Sequence, residues 1–107
     1  MNTRIDILKN MLEQKPADLL LKYSLAMEYY WQGDFDKSKK WFTEILNADE
    51  RYLPAYYHYA NVLATQGDVA KAVLYYQKGI TLAAELGDVK TKRELEQALQ
   101  MIHEAED

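Results

Sequence analysis

The sequence predicts an all-α fold of about six helices that pack as antiparallel pairs. The turn Gln32-Gly33-Asp34 recurs 34 positions later as Gln66-Gly67-Asp68. Apolar residues on either side of both turns recur at spacings of 3 and 4, which places them on one face of a helix. Self-similarity at a fixed period is typical of solenoids, in which helix pairs stack side by side. The chain of 107 residues has the length of one such domain, and we expect no domain boundary within it.

The first predicted helix covers residues 3–14 and forms half of a repeat. Thr3 is a candidate N-cap, and Pro16 ends the segment because the residue before a proline avoids helical geometry. Shifting three apolar residues of the next unit back by one period reaches apolar residues again: Trp41, Phe42 and Leu46 correspond to Ile7, Leu8 and Leu12. Residues 1–16 therefore resemble the second helix of a pair whose first helix is absent. We expect Ile5, Leu8 and Leu12 to lack a covering helix on one side.

Residues 17–52 form the first complete unit, with helices predicted at 18–32 and 35–48. Leu25 and Tyr29 lie one helical turn apart and share a face. Gly33 supplies the left-handed conformation that closes a helix, and Asp34 is a candidate N-cap for the helix that follows.

Residues 53–87 repeat this pattern, with helices predicted at 54–66 and 69–86. Gly79 lies inside the second of these helices, where we expect it to permit the close approach of the next helix. Otherwise a glycine weakens a helix by about 1 kcal/mol relative to alanine.

Residues 88–107 hold the last helix, predicted at 88–104. Its many charged and amide side chains suit a helix that covers the open end of a solenoid.

The two complete units resemble the tetratricopeptide repeat (TPR) family. That family has small and large residues at set positions of a helix pair, which this sequence carries at Ala26, Tyr29, Gly33, Ser38 and Phe42, and again at Ala60, Leu63, Gly67, Ala72 and Tyr76. Lys22 departs from the pattern, because the family favours a large aromatic residue or leucine there. The resemblance implies a right-handed TPR-type α-solenoid. It also implies capture of a protein or peptide partner along the concave face, without identifying that partner.

In such a solenoid the first helices of the units line the inner surface. The side of these helices opposite the packed face holds or adjoins eight candidate groove residues: Leu20, Tyr23, Met27, Tyr30, Trp31, Tyr57, His58 and Asn61. Aromatic side chains offer large contact areas with few torsions to immobilise, and methionine adapts to irregular ligands. The alternative is that these side chains pack against neighbouring helices or against a second copy of the chain.

The residue types that metal, nucleotide and covalent chemistry require are sparse. The chain has no cysteine, and its two histidines, His58 and His103, lie far apart in sequence. The net charge of −4 argues against a nucleic-acid partner, and no apolar run approaches the roughly 20 residues that span a bilayer. We therefore expect no cofactor, metal or catalytic residue, no nucleic-acid or membrane partner, and a cytoplasmic location.

We predict a non-enzymatic protein-protein interaction module. The alternative is structural: a second copy covers the N-terminal half-repeat edge and forms a homodimer. Some members of the resembled family hold a C-terminal carboxylate with Lys, Asn and Arg side chains. The matching positions here are Tyr23, Met27, His58 and Asn61. Only Asn61 among them could contribute, together with Lys92 of the last helix, so carboxylate capture is the less favoured mode.

Overall fold

The computed structural model describes residues 3–106, and within that range it contains helices and turns but no strand. The helices are Arg4–Gln14 (α1), Leu19–Trp31 (α2), Phe35–Ala48 (α3), Pro54–Thr65 (α4), Val69–Leu86 (α5) and Val89–Glu106 (α6). Every predicted helix is present, and its ends lie within about two residues of the prediction, as expected for boundaries inferred from sequence. The prediction of an all-α fold is confirmed.

The chain divides into two compact units, Met1–Glu50 and Arg51–Asp107. Unit 1 contains α1, α2 and α3, and unit 2 contains α4, α5 and α6. The division falls close to the predicted boundary between the two complete repeats. The prediction of a single domain over residues 1–107 stays a prediction.

Side-chain caps fix the helix starts in unit 1. Thr3 and Asp6 form a capping box, in which the hydroxyl of Thr3 accepts from the Asp6 amide and the Asp6 carboxylate accepts from the Thr3 amide. Asp34 accepts from the Lys37 amide at 3.2 Å and begins α3. Gly33 precedes it with φ of 78°, a left-handed conformation that glycine adopts without a steric penalty. The sequence therefore specifies the turn between α2 and α3 locally.

The core of unit 1 is a cluster of Leu8, Leu21, Leu25 and Tyr29, with Ile5, Leu12 and Trp41 packed against it. Leu8 is only 7% exposed because residues of α2 cover its side of α1. The sequence predicts Ile5, Leu8 and Leu12 at an edge that no preceding helix covers, but Leu8 is buried by the helices that follow and the other two are partly buried, so these three residues do not form an open apolar edge. The exposed large apolar residues of α1 are instead Ile7 and Met11, each 49% exposed.

In unit 2, α5 packs against both α4 and α6. Asp68 caps α5 by accepting from the Lys71 amide, and Gly87 ends it with φ of 70°. Gly79 is buried within α5, and a Cβ placed on it would lie 3.0 Å from Leu95 Cδ1 and 3.0 Å from Tyr56 Cβ. The predicted close approach at Gly79 is therefore confirmed, and it brings together all three helices of the unit.

Candidate peptide-binding site

The five candidate residues of α2 share one face of the helix. Positions 20, 23, 27, 30 and 31 fall within an arc of about 100° when the helix is viewed along its axis. Trp31 is 70% exposed and Leu20 is 65% exposed, and they lie at opposite ends of this face along the helix axis. Tyr23, Met27 and Tyr30 are half-buried between them. We call these five residues the α2 face.

The packing of the other side of α2 explains why this face is open. Leu21, Leu25 and Tyr29 anchor the helix in the core of unit 1. Ala26 is fully buried, and its carbonyl accepts a hydrogen bond of 2.9 Å from the hydroxyl of Ser38 on α3. Because a helix cannot turn two opposite faces toward the same core, these contacts hold the α2 face away from the cluster.

Ring contacts order the aromatic side chains of the α2 face. The Tyr30 ring meets the Trp31 ring edge-on, with centroids 5.3 Å apart, and meets Phe35 at 5.7 Å. The Tyr23 ring lies 6.2 Å from the fully buried ring of Phe42 on α3. Tyr23 therefore contacts the second helix of its own repeat as well as lying in the α2 face.

The three candidates on α4 are all half-buried. Tyr57 and His58 stack edge-on with ring centroids 5.1 Å apart. The hydroxyl of Tyr76 on α5 donates a short hydrogen bond to Oδ1 of Asn61. Asn61 thus joins the two helices of its own repeat, and a ligand that used its carbonyl oxygen would have to share it with Tyr76.

The electrostatic environment of His58 favours the neutral imidazole. Burial lowers the pKa of His58 from its ordinary value of 6.5, and the negative charge of Glu94 on α6 opposes that shift. A neutral, partly buried imidazole offers one donor and one acceptor rather than a positive charge. His58 is therefore poorly suited to hold a carboxylate at neutral pH.

Five of the eight candidates belong to unit 1 and three belong to unit 2. Each unit places its own candidates on the surface or partly exposed. A single groove lined by all eight stays a prediction.

Sequence reasoning missed a cleft of about 430 Å³ in unit 1. It is lined by Lys9, Leu12, Glu13, Pro16, Lys22, Trp41 and Glu44. The available signal was Lys22, which interrupts the repeat pattern where a large apolar residue is expected. A lysine stem supplies less apolar volume at this packing position than an aromatic ring would, and such a shortfall predicts an opening beside the helix.

Residues 3–106 contain no group of three or more His, Asp or Glu side chains placed to hold a metal ion. Over the same residues, each helix is too short or too polar to cross a bilayer.

The paired helices and glycine turns define a helical-repeat protein. The family model described as tetratricopeptide repeat matches residues 21–52 and 53–86, which together make up more than half of the chain. The chain belongs to the tetratricopeptide repeat family, and its fold is the all-α TPR solenoid.

Solved structures agree with this assignment. A Bordetella parapertussis protein solved in solution is 27% identical, with a TM-score of 0.87 over 98% of this chain and 91% of its own. The TPR2B domain of yeast Sti1, solved as a complex with pHsp70, has a TM-score of 0.86 at 17% identity and covers 94% of this chain and 81% of its own. The first TPR of Spaghetti (RPAP3), bound to the HSP90 peptide SRMEEVD, has a TM-score of 0.82 at 17% identity. The match covers 94% of this chain and 75% of that one. At 17% identity the likeness concerns the fold alone.

Among curated proteins, mouse aspartyl/asparaginyl beta-hydroxylase is 32% identical over 84 residues, which is 78% of this chain. The chain spans only 11% of the length of that protein.

Proposed function

We propose that the chain is a protein-interaction module whose α2 face binds a peptide or a segment of a partner protein. The observation that carries the proposal is the exposure of Trp31 and Leu20, 70% and 65%, on one face of a helix that is firmly anchored on its other side. Exposed large apolar residues that cluster on one face are typical of binding surfaces. Tryptophan and tyrosine are also enriched among the few residues that supply most of the binding energy at protein interfaces.

The complexes of two structural neighbours support the class of function. The yeast Sti1 domain binds pHsp70, and the first TPR of Spaghetti binds the peptide SRMEEVD. The α2 face differs in chemistry from an anion-binding surface, because its five residues are aromatic or aliphatic and carry no charge. We therefore propose apolar, bulky side chains as the anchors of the bound segment, rather than a C-terminal carboxylate.

A peptide selection followed by calorimetry tests this proposal. Peptides would be selected from a displayed random library against the whole chain, and the best one measured against wild type, Trp31→Ala and Leu74→Ala. We expect a dissociation constant of roughly 1–100 μM for wild type, since the interface is small. Trp31→Ala should weaken binding by about tenfold or more, the loss typical of an aromatic anchor.

Leu74→Ala is the matched control, because Leu74 is an exposed large apolar residue of α5 outside the predicted site. It should bind the selected peptide as wild type does. SRMEEVD serves as the second ligand and should show no saturation up to about 1 mM, because the candidate residues offer no cation to its carboxylates. Equal binding by wild type and Trp31→Ala, or saturable binding of SRMEEVD, would refute the proposal.

A second candidate function is self-association through α1. Ile7 and Met11 lie one turn apart on α1 and are each 49% exposed. Met11 is the equivalent, one repeat earlier, of Ile45, which is fully buried on α3. The half-repeat therefore exposes a position that the complete repeat covers, and a second copy of the chain could cover it.

A further inference from the structure

The cleft of unit 1 lies on the opposite side of α2 from the α2 face. Lys22 reaches it from α2, at a position about 200° around the helix from Leu20. Leu12 of α1 and Trp41 of α3 supply apolar walls, and Pro16 of the turn before α2 closes one side. The volume of about 430 Å³ lies within the range of small-ligand sites, about 300–1,000 Å³.

The second repeat shows what fits at the corresponding place. Lys22 and Trp41 correspond, one period later, to Tyr56 and Tyr75. In unit 2 the rings of Tyr56 and Tyr75 lie 6.0 Å apart with an interplanar angle of 34°, and Tyr56 is only 5% exposed. A tyrosine ring therefore fills, in the second repeat, the place that the lysine stem leaves partly open beside Trp41 in the first.

The charges around the cleft select among aromatic guests. Two lysines and two glutamates line the cleft: Lys9, Lys22, Glu13 and Glu44. The Lys9 ammonium also lies 6.0 Å from the Tyr29 ring centroid, and the ammonium of Lys40, which is not among the lining residues, lies 5.6 Å from the Trp41 ring centroid. A charged guest would be attracted by one pair and repelled by the other, so the balanced lining favours a neutral ring. A phenol hydroxyl can donate to a carboxylate and accept from an ammonium group, which a phenyl ring cannot do.

We propose that this cleft is a second binding site, which takes the side chain of a tyrosine from a partner polypeptide, in the place that Tyr56 occupies in the second repeat. The guest ring packs against Trp41, and its hydroxyl reaches the charged groups of the lining. The site is separate from the α2 face, and its occupation does not depend on the function proposed for that face.

The two tryptophans of the chain make the test direct. Each gives one indole N–H signal in a proton–nitrogen spectrum, so Trp41 reports the cleft and Trp31 reports the α2 face. N-acetyl-L-tyrosinamide is titrated into the whole labelled chain. The Trp41 signal should move and saturate with a dissociation constant of about 1 mM, the range expected of a ligand this small, and the Trp31 signal should stay. N-acetyl-L-leucinamide should leave both signals in place.

Variants and charged analogues complete the experiment. Lys22→Tyr fills the cleft from within, and should weaken binding by about tenfold or more while raising the melting temperature. Lys22→Met keeps an unbranched stem and should retain binding. Tyramine and 4-hydroxyphenylacetate should each bind more weakly than the neutral amide.

Three results would overturn the proposal: equal shifts of both indole signals, undiminished binding by Lys22→Tyr, or tighter binding of either ion. Trp31→Ala, which tests the proposed function, should bind N-acetyl-L-tyrosinamide in the cleft as wild type does. Failure of one proposal is therefore distinguishable from failure of the other.

Discussion

The two repeats carry different residue types at two equivalent positions of the helix pair. Met27 and Phe42 of the first repeat correspond to Asn61 and Tyr76 of the second. In the second repeat these residues are joined by the hydrogen bond from the Tyr76 hydroxyl to Asn61 Oδ1, and Tyr76 is only 2% exposed. A hydrogen-bonded polar pair in the second repeat thus stands at the two positions that hold apolar residues in the first repeat.

This matching predicts the outcome of a double-mutant cycle. Tyr76→Phe and Asn61→Met should each lower the free energy of unfolding by about 1 kcal/mol, because each removes one partner of a hydrogen bond between packed helices. The double variant recreates the pair of the first repeat, so it should recover most of that loss, with a coupling energy of about 1 kcal/mol. Chemical denaturation of the four proteins measures the cycle. Strictly additive losses would show that the two side chains act independently.

The sequence assigned Ser38 and Asn61 to helix faces, but it did not reveal the hydrogen bonds that they form. Ser38 was correctly assigned as a small residue of the repeat pattern, yet its hydrogen bond to the Ala26 carbonyl depends on the depth at which α3 crosses α2. The same limit applies to Asn61, which was predicted to line a groove and also accepts from Tyr76. Periodicity assigns a residue to a face, whereas its partner depends on packing distances that periodicity does not contain.

At the scale of elements, local chemistry made the helix ends predictable. Asp34 and Asp68 each cap a helix by the same bond to the amide three residues later, and Gly33 and Gly67 precede them with positive φ. These signals act within a few residues, so they can be recognised without knowledge of the tertiary structure. Periodicity placed Leu8 on the apolar side of α1, but its burial depends on which part of that side α2 covers, and periodicity does not contain that information.

Gly79 is the element-scale feature with the clearest energetic consequence. Alanine there would gain about 1 kcal/mol of helix propensity, but overpacking a tight core site costs about 1–3 kcal/mol. The added Cβ would lie 3.0 Å from the Cβ of Tyr56, which is fixed to the α4 backbone and cannot move aside as a side-chain end can. We expect Gly79→Ala to destabilise the protein by about 1 kcal/mol, and Gly79→Val to destabilise it more.

The control for Gly79→Ala is a pair of variants at Gln77, an exposed site on the same helix. Gln77→Ala should be more stable than Gln77→Gly by about 1 kcal/mol, which measures helix propensity without packing. Thermal and urea unfolding compare all four variants. A stabilising Gly79→Ala would mean that α4 and α6 can withdraw from α5 without loss.

At the scale of the whole molecule, the apolar surface of α1 limits how strongly two copies can associate. Covering the exposed halves of Ile7 and Met11 contributes about 1 kcal/mol per side chain, or about 4 kcal/mol for the four side chains of a symmetric pair. Without any further contact, 4 kcal/mol corresponds to a dissociation constant of about 1 mM before rigid-body entropy is subtracted. The net charge of −4 on each copy adds a repulsion that salt screens.

These magnitudes predict a monomer at the concentrations of ordinary binding experiments, because the rigid-body entropy of association raises the dissociation constant above about 1 mM. Sedimentation equilibrium from about 20 μM to about 1 mM should therefore show a single mass over the whole range. If contacts beyond Ile7 and Met11 enlarge the interface, the average mass should rise near the top of the range, more so at high salt. Met11→Lys should then remove the rise, because it places two like charges in the contact, whereas Leu74→Lys on α5 should leave it. A stable dimer at about 20 μM would require an interface larger than α1 alone provides, and if Met11→Lys left that dimer intact, the half-repeat edge would be excluded as its site. A monomer at every concentration would favour the proposed peptide binding by the α2 face over self-association through α1. Trp31 and Leu20 of the α2 face are more exposed than Ile7 and Met11 of α1, and one bound segment can bury both of them.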